Sequence, residues 1–230
     1  MTEDDESDER DEHLERTPGR GEAPAPAPIE PSTPDDFGLV QVWWGDGKGK
    51  TTAALGMGFR AAGHGYRVHA IQFMKGGASS VEPHRGEYNA IDAMPGFTVE
   101  NTGHYGWHGL PDGSDDDEHA ARAQAAFDRA REIADASRNL PDPPSLNGSP
   151  DEGCHLLILD EILYATNREL IDPDSLREFL QTRPEDLEIV LTGGHEEPTY
   201  VYEHADLVTE ARKIMHPIDE GQRARKGTEF

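Results

Sequence analysis

Residues 44–52 read WGDGKGKTT, three glycines and two lysines closing on a pair of threonines. Glycines let backbone N–H groups turn inward toward an anion, and a helix N-terminus behind them adds about half a positive charge. A lysine in such a loop reaches the terminal phosphates of a nucleotide, and the hydroxyl after it is placed to ligate Mg²⁺. Gly45, Asp46, Gly47, Lys48, Gly49, Lys50, Thr51 and Thr52 are therefore the candidate phosphate cradle. The pattern G-x-x-x-x-G-K-[ST] is met at Gly49, Lys50 and Thr51, whereas its first glycine position holds Trp44. A second chemical signal is LLILDE at 156–161. An apolar run of this kind reads as a strand buried on both faces, and acids at its tip are costly unless they meet a cation. Asp160 and Glu161, together with Thr51, are the candidate ligands of Mg²⁺ (or Mn²⁺). His104, His108 and His119 invite a second metal reading, but nothing fixes them at ligand spacing on one element.

These residues need a strand–turn–helix and a parallel sheet to hold them. The sequence predicts strands at Leu39–Trp44, Arg67–Met74, Phe97–Glu100, Leu156–Leu159, Leu187–Thr192 and Leu207–Ile214. Helices are predicted at Thr51–Ala62, His119–Ser137, Ser175–Gln181 and, as a short one, Pro198–His204. In the His119–Ser137 segment Ala123, Ala126, Phe127, Ala130 and Ile133 form one apolar stripe. Alternating strands and helices define an α/β fold with a doubly wound, mainly parallel sheet of five to six strands, of the P-loop NTPase type. The acids at 160 and 161 then lie at the carboxyl ends of the strands, where ligands of open α/β sheets bind.

Composition sets the surroundings. The chain of 230 residues has 46 acidic and 21 basic side chains, a formal net charge of −25. Residues 1–38 hold 13 acids and three arginines, a net of −10, so residues 39–230 still carry −15. Such a field repels nucleic acid and is the usual look of a protein from a salt-rich cytoplasm, so a halophile is inferred. Only five lysines occur (Lys48, Lys50, Lys75, Lys213 and Lys226), which makes a specific role for each more plausible. Lys213 reads equally well as a side chain lying over apolar surface. Residues 1–36 are acidic and then Pro/Ala-rich, a composition that favours a disordered tail. The domain is expected at 37–230, with a loop insertion at 138–152. No apolar stretch approaches the length of a membrane span and the N-terminus is acidic, so a cytoplasmic location without membrane contact is expected. The single cysteine, Cys154, precedes a buried strand and reads as a small core residue.

With these segments in place, the chain resembles the P-loop-type ATP:corrinoid adenosyltransferases over roughly residues 38–230, apart from 138–152. The resemblance is carried by GDGKGKTTAA (45–54), RAAGHG (60–65), QFMKG (72–76), GFT (96–98), LDE (159–161), LTG (191–193), ADLVTE (205–210) and His216-Pro217 with Asp219, Gly221 and Gly227. It implies that ATP lies reversed in the cradle and that a cobalt(I) corrinoid attacks the ribose 5′ carbon, expelling triphosphate. Cobalt(I) needs no general base, so the lack of a nucleophile–base arrangement is no objection. On this resemblance Gly47, Lys48, Gly49, Lys50 and Thr51 bind phosphates, with Lys50 the catalytic residue. Thr51 and Glu161 hold the metal, Arg60 assists the nucleotide, and Phe97 packs on the corrinoid. A flavoprotein that reduces cob(II)alamin, or another reductant, is an implied partner, and a homodimer is left open. Two positions depart from the family: Val99 stands where Trp is frequent, and Gly194 where Arg follows Thr-Gly. Trp107 or Tyr105 is expected to take over the missing aromatic packing. The competing reading is a P-loop ATPase or phosphotransferase, or an ATP-gated binding module without catalysis.

Overall fold

Three strands with every residue buried form the centre of the protein: β2 (Val68–Gln72), β4 (Leu156–Asp160) and β5 (Glu188–Thr192). Their near-continuous apolar side chains can only be satisfied with helices on both faces. A computed structural model describes residues 24–75, 85–103 and 116–228, with backbone alone at 116 and 117. β1 (Val40–Trp44), β3 (Phe97–Asn101) and β6 (Leu207–Glu210) complete a six-stranded sheet in the order β3-β2-β4-β5-β1-β6. Every pairing is parallel, so the expected P-loop-type sheet is present with six strands.

One face carries α1 (Lys50–Gly63) and α2 (Gly86–Asp92), which bury Ala54, Leu55, Ala62 and Ile91 against Val68, Ala70, Phe97 and Ile158. The other carries α3 (Asp116–Ser137), α4 (Ile162–Asn167) and α5 (Pro173–Thr182). There the α3 stripe Ala123, Ala126, Phe127, Ala130 and Ile133 meets Ile71, Leu157 and Leu159. Asp172 caps α5 by accepting from Asp174 N and Ser175 N, which satisfies donors that a helix start leaves unpaired. Cys154 lies in this core, and burial pushes its thiol up to about 12, so it is an inert apolar filler.

The last strand is shorter than its sequence predicts. β6 stops at Glu210 because Ala211 N donates to Trp44 O and the chain then crosses the glycine-rich turn. Ser32 N donates to Gly65 O at 3.0 Å and Thr33 Oγ1 to Asp142 Oδ1 at 2.7 Å, so residues 32 and 33 already pack on the domain. The 138–152 segment ends in a short 3-10 helix, Pro150–Glu152, and is tied down. Leu146 O accepts from Gly96 N, Arg67 pairs with Glu152 and Arg129 with Asp151. Among the described residues no helix is long and apolar enough to cross a membrane.

Candidate active site

Strand register brings the chemistry together. Gln72 lies opposite both Asp160 and Asn101, and Trp43 lies opposite Thr192. The carboxyl ends of five strands are thus level, and the loop after β1 opens onto the same edge. In that loop the left-handed residue that the usual pattern places first falls one position later, at Gly45, with φ 113°. A Cβ there would lie 2.4 Å from Ala211 O, and one at Gly47 would lie 2.7 Å from the same carbonyl. Glycine is required because the segment after β6 clamps the loop: Gly47 N donates to Ala211 O at 2.7 Å. Lys213 N donates to Asp46 Oδ1 at 2.8 Å, which holds the Asp46 carboxyl below its ordinary value. α1 begins directly after Gly49, and Lys50 Nζ donates to Gly45 O at 2.7 Å and Gly47 O at 2.8 Å. Burial lowers the Lys50 pKa, while the charges of Glu161, Asp46 and Asp160 act to raise it. The Lys50 ammonium is thus held by two loop carbonyls at the N-terminus of α1, where a helix start attracts an anion.

The second half of the site is built on Asp160, which has no exposed surface. Its Oδ1 accepts from Thr192 Oγ1 at 2.6 Å and Thr51 Oγ1 at 2.9 Å. Its Oδ2 accepts from Gln72 Nε2 at 3.1 Å and from Lys75 Nζ. Glu161 follows in the left-handed region at φ 68°, unusual for a branched-free but long side chain, and its N–H donates to Thr192 Oγ1 at 3.0 Å. Burial raises the Glu161 pKa, and the neighbouring Asp160 charge raises it further, with Lys75 and Lys50 opposing. Gly193 permits this packing, since a Cβ there would sit 2.8 Å from Glu161 Cα. Thr51, Asp160 and Glu161 therefore gather hard oxygen donors beside the phosphate loop, a set suited to Mg²⁺ or Mn²⁺.

Arg60 and Phe97 stand apart from Lys50 and Asp160, while Lys48 and Thr52 remain part of the loop itself. Lys48 and Thr52 are exposed on the loop and the first turn of α1. Arg60 stands ten residues along α1 from Lys50, about 15 Å by the helical rise, and is exposed near the helix C-terminus. The helix carries it away from the phosphate loop. Phe97 is at the opposite end of β3 from Asn101, about 13 Å down the strand, and only 3% exposed. It packs edge-on against Phe59 with 5.2 Å between ring centroids, as core. Phe97 and Val99 also line an open groove of about 800 Å³ beside the edge strand, with Tyr88, Met94 and Leu146. Trp107, Tyr105, His104 and His108 lie outside the described residues, and His119 is buried in α3. Gly194 has φ 73° and its carbonyl accepts from Gly45 N at 3.0 Å, so an arginine there would be strained along this backbone path.

Gln72, Lys75, Thr192 and Lys213 are site residues that spacing alone did not assign. The scarcity of lysine was the one signal that pointed toward two of them. Lys213 in addition pairs with Asp219 at 3.1 Å, well away from an apolar surface role. Tyr88 OH donates to Gln72 Oε1 at 2.7 Å, which links the groove to Asp160 through one amide.

Fold and site together define a P-loop-type α/β protein with a buried carboxylate, Asp160, at the carboxyl edge of its sheet. Residues 36–230 match the family described as ATP:corrinoid adenosyltransferase BtuR/CobO/CobP, and the chain belongs to that family. A corrinoid adenosyltransferase of Pseudomonas aeruginosa is 32% identical over 203 residues, covering 85% of both chains. The corrinoid adenosyltransferase of Escherichia coli K12 is 29% identical over 204 residues, 85% of this chain and 87% of that one. The corrinoid adenosyltransferase CobA of Salmonella typhimurium is 28% identical over 203 residues, with the same two coverages. The protein is accordingly an enzyme of ATP-dependent adenosyl transfer to a corrinoid.

Proposed function

We propose that the loop from Gly45 to Thr52 holds the triphosphate of ATP as a leaving group while a cobalt(I) corrinoid attacks the ribose 5′ carbon. The cobalt electron pair forms the new cobalt–carbon bond. The carbon–oxygen bond to the triphosphate breaks, and its electron pair departs with the phosphate. The observation that carries the reading is the contact between Thr51, at the start of α1, and Asp160, at the end of β4, beside Lys50. The loop amides and the Lys50 ammonium stabilise negative charge that grows on the departing oxygen. The protein's remaining task is to fix both reactants in line, which needs no acid or base.

Thr51, Asp160 and Glu161 would hold a divalent ion, which when bound supplies further neutralisation of the triphosphate. The corrinoid is assigned to the groove beside β3, where Val99 is partly exposed, Phe97 backs the wall from the core and Tyr88 leads to Gln72. A flavoprotein or other one-electron donor must deliver the corrinoid in its cobalt(I) state. The charge of −15 in residues 39–230 supports a protein adapted to a salt-rich cytoplasm.

A single-turnover reaction with ATP and chemically reduced corrinoid tests the reading through its phosphate product. Triphosphate released in step with adenosylcorrinoid is expected, and Lys50→Ala should slow this by about 10²–10³-fold. ADP as the main product, formed without corrinoid, would instead make the protein an ATPase or phosphotransferase.

A further inference from the structure

Lys75 lies three residues beyond Gln72, where the chain leaves the carboxyl edge of the sheet, and its side chain is 16% exposed. Its ammonium donates to Thr51 Oγ1 at 2.7 Å and to Asp160 Oδ2. The backbone at this position is fixed separately, because Asn101 Nδ2 donates to Lys75 O at 2.9 Å. The four-carbon stem can therefore move its charge while the main chain stays in place. Asp160 is completely buried, and a carboxylate so placed needs a positive partner. Lys75 supplies that partner through two of the three side chains proposed to hold the divalent ion.

We propose that Lys75 is an exchangeable counter-ion: its ammonium occupies the contacts of the divalent cation on Thr51 and Asp160 and is displaced when that cation binds. This inference rests on the metal site of the preceding subsection. An ion arriving alone must expel a charge into the neighbourhood of Lys50, which the carboxylates only partly offset. An ion arriving with a triphosphate brings four negative charges that give the released ammonium a new partner. Metal and nucleotide then bind cooperatively, and free metal is held weakly. The device keeps the buried carboxylate neutralised in either state.

The test uses the full chain, with Mn²⁺ as the probe and binding followed by its electron paramagnetic resonance. Lys75→Gln keeps a donor near Asp160 but removes the charge, and Lys75→Met removes both. Each should bind Mn²⁺ alone about tenfold or more tightly than wild type, the scale of removing one close like charge. The cooperativity between Mn²⁺ and ATP should shrink by the same factor. In chelator Lys75→Met should melt below wild type, and Mn²⁺ should restore it. A purely structural ion pair would lower stability without tightening metal binding. Unchanged or weaker Mn²⁺ affinity in both variants, with binding still abolished by Asp160→Asn, overturns the exchange and leaves the metal site standing. Mn²⁺ binding that survives Asp160→Asn overturns the metal site, and the exchange with it.

Discussion

Thr192→Val removes one hydroxyl from the centre of the site and little else. Valine keeps the β-branched shape that suits the end of β5. The hydroxyl it lacks donates to Asp160 Oδ1 at 2.6 Å and accepts from Glu161 N at 3.0 Å. A hydrogen bond to a charged group contributes about 1.5–3 kcal/mol, and a stranded buried N–H costs about 1–3 kcal/mol. Asp160 retains Thr51, Gln72 and Lys75, so the low end of each range applies and the sum is about 2.5 kcal/mol. The stranded N–H belongs to Glu161, already in the left-handed region at φ 68°, so its carboxylate should lose its fixed aim as well. Thr192→Ser keeps both bonds and gives up one methyl, for about 1 kcal/mol. Urea unfolding at constant salt measures the stabilities, and Mn²⁺-dependent ATP binding reads the site. A valine variant within about 1 kcal/mol of the serine variant, with unaltered ATP binding, would refute the assignment of Thr192 as the bridge between the two acids.

His69 gives the expected pH dependence: burial drives its imidazole down to about 4, so it stays neutral in the fold while the unfolded chain protonates below about 6.5. The unfolded state then holds more protons between those values, so stability falls on acidification through this window, by up to about 3 kcal/mol for this group. Melting temperature against pH should be visibly flatter for His69→Gln between 6.5 and 4 than for wild type. Phe97→Ala should cost about 3–5 kcal/mol in urea unfolding, because the ring is core. Phe97→Leu keeps most of the volume, and loss of adenosylation in that variant at near-native stability is the result expected if the ring also meets the corrinoid. Between ~50 mM and ~2 M KCl the melting temperature should rise as self-repulsion of the acidic domain is screened, and an unchanged transition would contradict salt adaptation.

The sequence alone determined whatever is written in neighbouring residues. The glycine and lysine spacing of 45–51 marks the phosphate loop, and the buried run ending in Asp160 and Glu161 marks the acidic edge. Alternation of such segments was enough for a parallel α/β sheet. Short elements inside continuous apolar stretches were not legible. α4 follows β4 after one residue, and its six residues complete too few turns to show a helical period. The end of β6 was equally hidden, since Ala211 leaves the sheet to clamp Gly45 and Gly47, contacts some 165 residues apart in the chain. The same holds for the site's inner partners. Gln72, Lys75 and Thr192 carry no local sign that they meet at Asp160. Strand order and register bring the ends of β2, β4 and β5 level, and a buried carboxylate draws to itself whichever donors that alignment puts in reach.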